Sequence, residues 1–431
     1  MILFKGKLYD SDMQSELLGR MDAQINETLL KEPPGTEYVI GAFDRLAGKI
    51  EGGAYDELIE MLDIEGIEEK ISGAVSLLKR DSLQFKLETE LGANFFSEKE
   101  MRPVRAEATI VKRAMPLGVL FHIAAGNVDG LPAYSVAEGL LTGNINILKL
   151  PQADNGLSVR ILCELIAAAP ALTDYIYVFD TPSSDIGAMK RMAEISDGIV
   201  VWGGDEAVSA VRSMAPVGAR LIEWGHKLSF AYLSGEPSGE ELRKLARHIM
   251  ETKQLLCSSC QTIYIDTDGM EGVHSFCRRF LPVLEEAAKD YPVKSVGAQA
   301  EISLRLYHQK LESLVSGQKE EAQRVYRGKG CSLLACADSE LTLSMMFGNC
   351  LVKRLPRKEI IPVLRRKKGY LQTAGLLCAE EDRKNIAALL LKAGVNRVTG
   401  AGGMSGVTCG DTHDGEYPLR RYVRMTDSSG I

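Results

Sequence analysis

The sequence contains no apolar run long enough to cross a membrane, and it has no excess of basic residues. A membrane-spanning helix needs about 20 consecutive apolar residues, so no membrane span is predicted. The first four residues are followed at once by Lys5 and Lys7, so no secretory leader is predicted. The net charge of −7 provides no basic field for a nucleic-acid backbone. A membrane protein or a nucleic-acid binder is therefore not expected.

A second pair of zinc ligands is also missing. Cys257 and Cys260 form a C-x-x-C pair, which is typical of a redox couple or of half a zinc site. None of the other seven cysteines lies in another C-x-x-C or in a C-x-x-H, so no bound metal is expected. The number of cysteines, nine, is odd, and no export signal is predicted. Reduced thiols and a cytoplasmic location are therefore expected.

The usual dinucleotide fingerprint, G-x-G-x-x-G between a strand and a helix, does not occur. The nearest feature is the pair Gly203 and Gly204, which follows an apolar strand-like run and precedes a helix-like one. Glycines at such a turn let a ligand approach the backbone. A plain tight turn explains the same pair equally well.

What the sequence does contain is an α/β pattern. Its 431 residues exceed what one core usually holds, so two domains are expected. Apolar residues at three- and four-residue steps predict helices over 11–30, 36–50 and 55–91. From Ala108 strands and helices alternate, which predicts a parallel, doubly wound sheet with its ligand site beyond the carboxyl ends of the strands. The second half repeats the alternation. The predicted fold class is α/β, with two doubly wound domains and a helical N-terminal region.

One stretch, 245–267, is placed for chemistry. An amphipathic helix runs into Cys257 and Cys260, and a strand follows over 262–265. A side chain at such a junction points into a crevice instead of a packed layer. Cys257 is therefore a candidate thiolate nucleophile, although a cysteine taken alone is more often a small core residue.

Five segments resemble motifs of the aldehyde dehydrogenase superfamily, in the order that the superfamily has them. In this sequence they are 116–119 (P-L-G-V), 123–127 (I-A-A-G-N), 143–151 (G-N-I-N-I-L-K-L-P), 201–208 (V-W-G-G-D-E-A-V) and 223–227 (E-W-G-H-K). The proline of the third segment comes one place late, at Pro151. Cys257 follows Glu223 by 34 residues, which is similar to the superfamily's spacing between its glutamate and its cysteine.

Within that superfamily the sequence resembles the acyl-CoA reductases of the LuxC type, the fatty-acid reductases of bacterial bioluminescence. The segments that carry this likeness are 225–230 (G-H-K-L-S-F), 257–261 (C-S-S-C-Q), 397–399 (R-V-T), 403–405 (G-M-S), 413–415 (H-D-G) and 418–419 (P-L). The likeness covers most of residues 90–425.

The resemblance implies a reaction. Cys257 would attack a thioester, displace coenzyme A and form an acyl-enzyme thioester, which splits one difficult step into two. The side-chain amide of Asn127 and the backbone N–H of Cys257 would stabilise the oxyanion. Glu223 matches the superfamily's water-activating base. Reduction of the acyl-enzyme by NAD(P)H would release an aldehyde.

The resemblance also implies cofactor contacts. Lys149 matches a lysine that binds a cofactor ribose, and Gly203 with Gly204 matches the glycine-rich turn. Relatives that prefer NAD commonly carry a glutamate three residues after that lysine, where this chain has the neutral Gln152. NADPH is therefore expected, with NADH as the alternative. The superfamily's E-x-F-G motif is only partly matched by 345–348 (M-M-F-G), which lacks the glutamate.

The implied domains are a helical region with a nucleotide-binding domain over 1–227 and a catalytic domain carrying the cysteine nucleophile over 228–408. The remaining residues, 409–431, are expected to form a strand over 417–425 that returns to the first domain or contacts another subunit. A homo-oligomer, an acyl-CoA or acyl-protein substrate and an acyl-transfer partner enzyme are implied in the same way.

Three functions remain open on these grounds. The first is an acyl-CoA reductase, and the second is an aldehyde dehydrogenase in which Glu223 activates water. The third is a non-catalytic scaffold that binds an acyl-transfer partner and uses the C-x-x-C pair as a thiol or metal switch. Simpler interpretations also stand: Asn127 as a turn residue, Lys149 as a surface charge and Glu223 as a structural polar group.

Overall fold

The computed structural model of the chain describes residues 1–56, 67–102, 104–105, 109–124, 130–152, 154, 156–293, 296–315, 323–406 and 408–429. The chain divides into two compact units, one of Met1–Gly225 with Val407–Ile431 and one of His226–Gly406. The sequence-based boundaries lie at 227/228 and 408/409. Cofactor binding by the first unit and catalysis by the second stay predictions.

The first unit is built on a seven-stranded sheet of order β2-β1-β7-β6-β5-β8-β9. Its strands are β1 (Ile2–Phe4), β2 (Lys7–Tyr9), β5 (Val119–Ile123), β6 (Ile145–Lys149), β7 (Ile176–Phe179), β8 (Gly198–Trp202) and β9 (Arg220–Trp224). Strands β5 to β9 pair in parallel, whereas β1 pairs antiparallel with β2 and β7. The central strands β5, β6 and β7 are buried along their whole length, as expected for parallel strands that are covered on both faces.

The α-helices of this unit are Gln14–Leu29, Thr36–Glu51, Ile67–Leu78, Arg80–Leu91, Leu131–Leu141, Leu157–Ala168, Ile186–Ile195, Asp205–Met214 and Pro418–Arg421. The single helix predicted over 55–91 is wrong, because the backbone of Lys79 is extended and begins a second helix. Residues 57–66 of that prediction lie outside the described residues. The hairpin β1–β2 was not predicted, since three-residue strands are too short for a periodicity to appear.

A small antiparallel sheet of order β17-β4-β3 also belongs to the first unit. It consists of β3 (Lys99–Met101), β4 (Ile110–Pro116) and β17 (Val423–Ser429). The C-terminal strand predicted over 417–425 is corrected accordingly: Pro418 opens a helical turn, because its fixed φ suits the first helical position, and the strand begins only at Val423.

A buried ion cluster fixes the C-terminal segment to the helical region of this unit. Lys86 Nζ lies 2.5 Å from Glu90 Oε1 and 3.0 Å from Glu138 Oε1, and all three side chains are almost fully buried. The backbone N–H of Leu419 donates to Glu90 Oε2 at 2.8 Å. Each buried charge therefore has a partner, which a buried ion requires.

The second unit contains another seven-stranded sheet, of order β12-β13-β14-β11-β10-β15-β16. Its strands are β10 (Leu228–Leu233), β11 (Cys260–Ile265), β12 (Gln323–Gly328), β13 (Cys331–Cys336), β14 (Asn349–Arg354), β15 (Leu371–Leu377) and β16 (Arg397–Gly400). All pairs are parallel except β12 with β13. The α-helices are Gly239–Glu251, Met270–Ala288, Val296–Val315, Ile360–Leu364 and Glu380–Ala393.

Alternate side chains of β10 enter two different cores. Ala231 and Leu233 belong to one cluster, and Phe230 and Tyr232 belong to another. Helices therefore cover both faces of the sheet, and the doubly wound α/β architecture predicted for each half is confirmed. No helix in the described part of the chain is long and apolar enough to span a membrane.

Candidate active site

Cys257 is the exposed thiol of the chain. Of the nine cysteines, Cys163 and Cys409 are half-buried and six others are buried. Burial raises the pKa of Cys260 to about 12. A thiol must ionise near neutral pH to act as a nucleophile, so the structure favours Cys257 over Cys260 and places the C-x-x-C pair in two different environments.

Cys257 lies in a loop, 252–259, between the helix Gly239–Glu251 and β11. The helix begins with a capping box in which Ser238 and Glu241 bind each other's backbone N–H groups. After the helix, Lys253 and Gln254 adopt left-handed backbone conformations with φ of 49° and 62°. Such conformations cost free energy for residues other than glycine and cluster at functional sites.

A second left-handed turn packs against this loop. Met346 and Phe347 have φ of 63° and 50°, and the backbone N–H of Phe347 donates to the carbonyl oxygen of Lys253 at 2.9 Å. The N–H of Gly348 donates to Gln254 Oε1 at 3.1 Å. The segment 345–348, which lacks the superfamily's glutamate, therefore braces the cysteine loop through its backbone.

Two buried glutamines complete this brace. Gln254 Nε2 donates to the carbonyl oxygen of Cys260 at 2.8 Å, and Gln261 Nε2 donates to the carbonyl oxygen of Gln254 at 2.8 Å. Ser344 Oγ donates to Gln261 Oε1 at 2.7 Å. Neither glutamine was predicted from the sequence. The sequence signal that could have identified them is the presence of a large polar residue next to, or within, the apolar strand β11.

Ser229 holds the backbone of Cys257 itself. Its hydroxyl donates to the carbonyl oxygen of Cys257 at 2.7 Å and accepts the N–H of Thr373 at 3.0 Å. Cys257 precedes β11, so it lies at the amino-terminal edge of the parallel sheet, opposite to the edge at which α/β sheets usually bind ligands. Ser229 was also missed, although a serine in the apolar strand β10 is a detectable anomaly.

A buried histidine supports the entry to β11. The N–H of Cys260 donates to His248 Nε2 at 3.2 Å, so Nδ1 carries the ring proton and donates to Ser405 Oγ at 3.3 Å. Burial lowers the pKa of His248 to about 4, which keeps the ring neutral near pH 7. His248 was not predicted from the sequence, although a histidine on the apolar face of the helix Gly239–Glu251 was a detectable signal. Its bond to Ser405 connects the G-M-S segment (403–405) to the strand that follows Cys257.

The predicted cofactor residues lie in the first unit. Lys149 ends β6 and is 4 % exposed. Burial lowers the pKa of its ammonium group, and Asp180 opposes that effect. The described residues include no hydrogen-bond partner for Lys149 Nζ. Gln152, three residues later, is exposed. A buried cation without a hydrogen bond at the carboxyl edge of a parallel sheet fits a polar or anionic ligand.

The two glycines of the turn after β8 differ in their surroundings. The N–H of Gly203 donates to the carbonyl oxygen of Trp224 at 3.1 Å, and a Cβ at Gly203 would lie 3.0 Å from the Cβ of Ala207. A Cβ at Gly204 would meet no atom within 4 Å. Packing therefore explains Gly203, whereas a side chain at Gly204 would face open space. Acidic residues already occupy the first turn of the helix Asp205–Met214, where the helix dipole favours negative charge.

Glu223 is held by Arg212. Its two carboxylate oxygens accept from Nε and Nη2 of Arg212, both at 2.6 Å. Such a bidentate pair is strong and fixes the orientation of the carboxylate. Both oxygens are therefore engaged by Arg212 and not directed at a water molecule.

Asn127, the predicted oxyanion donor, lies outside the described residues. Among the residues that are described, no three histidine, cysteine or acidic side chains gather as metal ligands.

Comparison with known proteins identifies the protein family. The family model described as "Acyl-CoA reductase (LuxC)" matches residues 34–425. A curated relative, the long-chain acyl-protein thioester reductase of Photorhabdus laumondii subsp. laumondii, is 26 % identical over 360 aligned positions. The alignment covers 80 % of this chain and 70 % of the relative.

Solved structures show the fold. A bifunctional proline utilization A (PutA) protein superposes with a TM-score of 0.74 at 16 % identity, over 98 % of this chain, which spans only 45 % of that protein. A NAD-dependent benzaldehyde dehydrogenase from Corynebacterium glutamicum superposes with a TM-score of 0.71 at 15 % identity, over 97 % of this chain and 90 % of that one. The fold of the aldehyde dehydrogenases, which the superfamily motifs predicted, is confirmed.

Proposed function

The chain belongs to the acyl-CoA reductase (LuxC) family, and on that premise we propose that it reduces a long-chain acyl thioester to an aldehyde with NADPH, through an acyl-enzyme on Cys257. One observation carries the proposal. Cys257 is the exposed cysteine of nine, and it lies in a strained loop whose backbone is braced from several sides. A rigid, accessible thiol is what nucleophilic catalysis requires.

In the first step the Cys257 thiolate attacks the thioester carbonyl carbon. A C–S bond to Cys257 forms, the C–S bond to the donor breaks, and the donor leaves as a thiolate that takes up a proton. The backbone N–H of Cys257 and the Asn127 amide are the proposed oxyanion donors, and each such donor is worth about a hundredfold or more in rate. The bond from Ser229 to the Cys257 carbonyl oxygen fixes the peptide that follows Cys257, on the other side of the same Cα atom.

In the second step the acyl group is reduced and released. When bound, the nicotinamide cofactor supplies a hydride to the acyl carbon. The resulting thiohemiacetal oxyanion stays with the same donors until the C–S bond to Cys257 breaks, which regenerates the thiolate and frees the aldehyde. Lys149, Gln152, Gly203 and Gly204 are proposed to hold the cofactor. The exposed, neutral Gln152 leaves room for a 2′-phosphate, which supports NADPH over NADH.

Reduction is proposed over hydrolysis because Glu223 is engaged by Arg212. A water-activating base must have its carboxylate oriented toward the water, and here both oxygens accept from one guanidinium group. The same arrangement disfavours the aldehyde dehydrogenase alternative. The acyl donor is proposed to be an acyl-protein or acyl-CoA, in keeping with the name of the Photorhabdus relative. The carrier protein or an acyl-transfer enzyme would be the partner.

Intact-mass analysis tests the proposal. The protein is incubated with long-chain acyl-CoA in the absence of NADPH, and an acyl adduct is expected on the peptide that contains Cys257. NADPH should then discharge the adduct as aldehyde. Cys257→Ala should abolish adduct and turnover, whereas Cys260→Ser, the matched control three residues away, should keep most of both. An adduct that follows Cys260, or turnover in Cys257→Ala, would refute the assignment.

A further inference from the structure

Both tryptophans of the chain lie together in the first unit, with a histidine between them. The ring centroids of Trp202 and Trp224 are 5.6 Å apart, and the His413 ring lies 5.0 Å from the first and 4.9 Å from the second. Trp202 ends β8 and Trp224 ends β9. We call these three side chains the aromatic cluster. It lies at the carboxyl edge of the parallel sheet, beside the Gly203–Gly204 turn.

A directional chain of hydrogen bonds orients Trp202. Asn146 Nδ2 donates to the carbonyl oxygens of Asn144 and Tyr175, so Asn146 Oδ1 must accept from His122 Nε2, at 3.0 Å. His122 Nδ1 then accepts from Ser135 Oγ at 2.7 Å, and Ser135 Oγ accepts from Trp202 Nε1 at 3.1 Å. His122, Ser135 and Asn146 are fully buried. The indole N–H is thus satisfied from the protein side, and the half-buried ring keeps an apolar surface.

The backbone of His413 is held in a tight turn. Its N–H donates to the carbonyl oxygen of Glu416 at 2.8 Å, and the Glu416 N–H donates back at 2.9 Å. The two residues between them, Asp414 and Gly415, both have positive φ, as a tight two-residue turn requires. Arg421 ties this turn to the sheet, because it binds the Glu416 carboxylate and the carbonyl oxygen of Leu221.

We propose that the aromatic cluster is the platform for the nicotinamide ring, with Trp202 and His413 as specificity-determining residues and Ser135 and His122 as positioning residues. The proposal rests on the proposed NADPH-dependent function. Aromatic rings that are held in place stack on planar heteroaromatic rings, and such a pair contributes about 0.5–1.5 kcal/mol. The position at the carboxyl edge, next to the open space at Gly204, is where a dinucleotide bound by Lys149 and this turn would bring its second ring.

Intrinsic fluorescence tests the platform, because the emission of both tryptophans comes from the cluster. NADP⁺ does not absorb at the wavelengths of tryptophan emission, so it quenches that emission only by contact. It should quench most of the Trp202 emission in Trp224→Phe, where Trp202 is the sole tryptophan. The matched ligand is 2′-phospho-ADP-ribose, which lacks the nicotinamide ring. It should bind by calorimetry and leave the emission nearly unchanged.

Binding constants give the second measurement. Trp202→Leu and His413→Ala should each raise the Kd of NADP⁺ roughly twofold to tenfold, the equivalent of one stacked pair, and leave the Kd of 2′-phospho-ADP-ribose unchanged. Ser135→Ala should act in the same direction, with a shift in Trp202 emission, and Ser135→Thr should restore both. Equal losses for the two ligands, or equal quenching by both, would overturn the platform alone. Failure of both ligands to bind the unaltered protein would overturn the proposed function and the platform together.

Discussion

Ser229 Oγ donates to the carbonyl oxygen of Cys257 at 2.7 Å, and the bond joins two segments that are 28 residues apart. Through the same hydroxyl, the N–H of Thr373 joins β15 to this point. The backbone of the proposed nucleophile is therefore fixed by two strands of the sheet, although its side chain is exposed.

Ser229→Ala should slow acylation of Cys257. The lost hydrogen bond is worth about 1 kcal/mol, which corresponds to roughly a fivefold slower rate of acyl-enzyme formation. The N–H of Thr373 would stay buried without a partner, so the free energy of unfolding should fall by about 1–3 kcal/mol. Rapid-quench acylation and urea unfolding measure the two effects.

Arg357→Met is the control for Ser229→Ala, since Arg357 binds Asp266, Asp382 and Ser234 at the opposite edge of the sheet. It should lower stability and spare acylation. Equal slowing in both variants would contradict the positioning of Cys257 by Ser229.

Arg212→Ala should increase hydrolysis of the acyl-enzyme relative to reduction. Release of the Glu223 carboxylate from its bidentate pair makes it available as a base for water, and general-base catalysis commonly contributes about a hundredfold or more. The ratio of free fatty acid to aldehyde measures the change. The double variant Arg212→Ala/Glu223→Gln should return the ratio to its original value. A ratio that stays high in the double variant would show that Glu223 is not the base.

Gly203→Ala and Gly204→Ala should separate packing from ligand binding. The first substitution forces two Cβ atoms to 3.0 Å, so the unfolding temperature should fall. The second meets no protein atom within 4 Å, so stability should hold while the Kd of NADPH rises roughly tenfold, the cost of about one crowded methyl group. Calorimetric titration and thermal unfolding test the pair. Unchanged NADPH binding in Gly204→Ala would remove this turn from the proposed cofactor site.

Stability should fall as the pH drops from 6.5 toward 4, partly because of His248. Burial lowers its folded-state pKa from 6.5 to about 4, so the unfolded chain binds a proton that the native state excludes. The native state is therefore favoured above pH 6.5 and loses up to about 3 kcal/mol through this window. His248→Gln, which keeps an acceptor for the N–H of Cys260, should flatten the dependence measured by urea unfolding. An unchanged slope in His248→Gln would contradict this role of His248.

Gln152→Glu should shift cofactor preference toward NADH. A carboxylate at this exposed position would repel a 2′-phosphate by about 1 kcal/mol or more in water, so the ratio of kcat/KM for NADPH to that for NADH should fall roughly tenfold. The neutral control Gln152→Ala should change the ratio little. A strong NADH preference in the unaltered protein would contradict the proposed role of Gln152.

Periodicity and motif order predicted the repeated α/β architecture and the family, because both are recorded in local residue patterns. Strands and helices alternate from β5 onward, as predicted for the chain after Ala108, since apolar runs and their flanking polar residues mark burial directly. The break at Lys79 and the short strands β1 and β2 were missed, because they depend on pairing with distant parts of the chain.

The sequence by itself identified Cys257, Lys149, Gly204 and Glu223 as candidates, because motif spacing is a property of the chain alone. Only the tertiary structure decided that Cys257 is exposed while Cys260 is buried, that Arg212 holds Glu223, and that His413 meets Trp202 and Trp224. These relationships depend on burial and on contacts between distant segments, and both arise only when the packed sheets fix which side chains lose water and which ones meet.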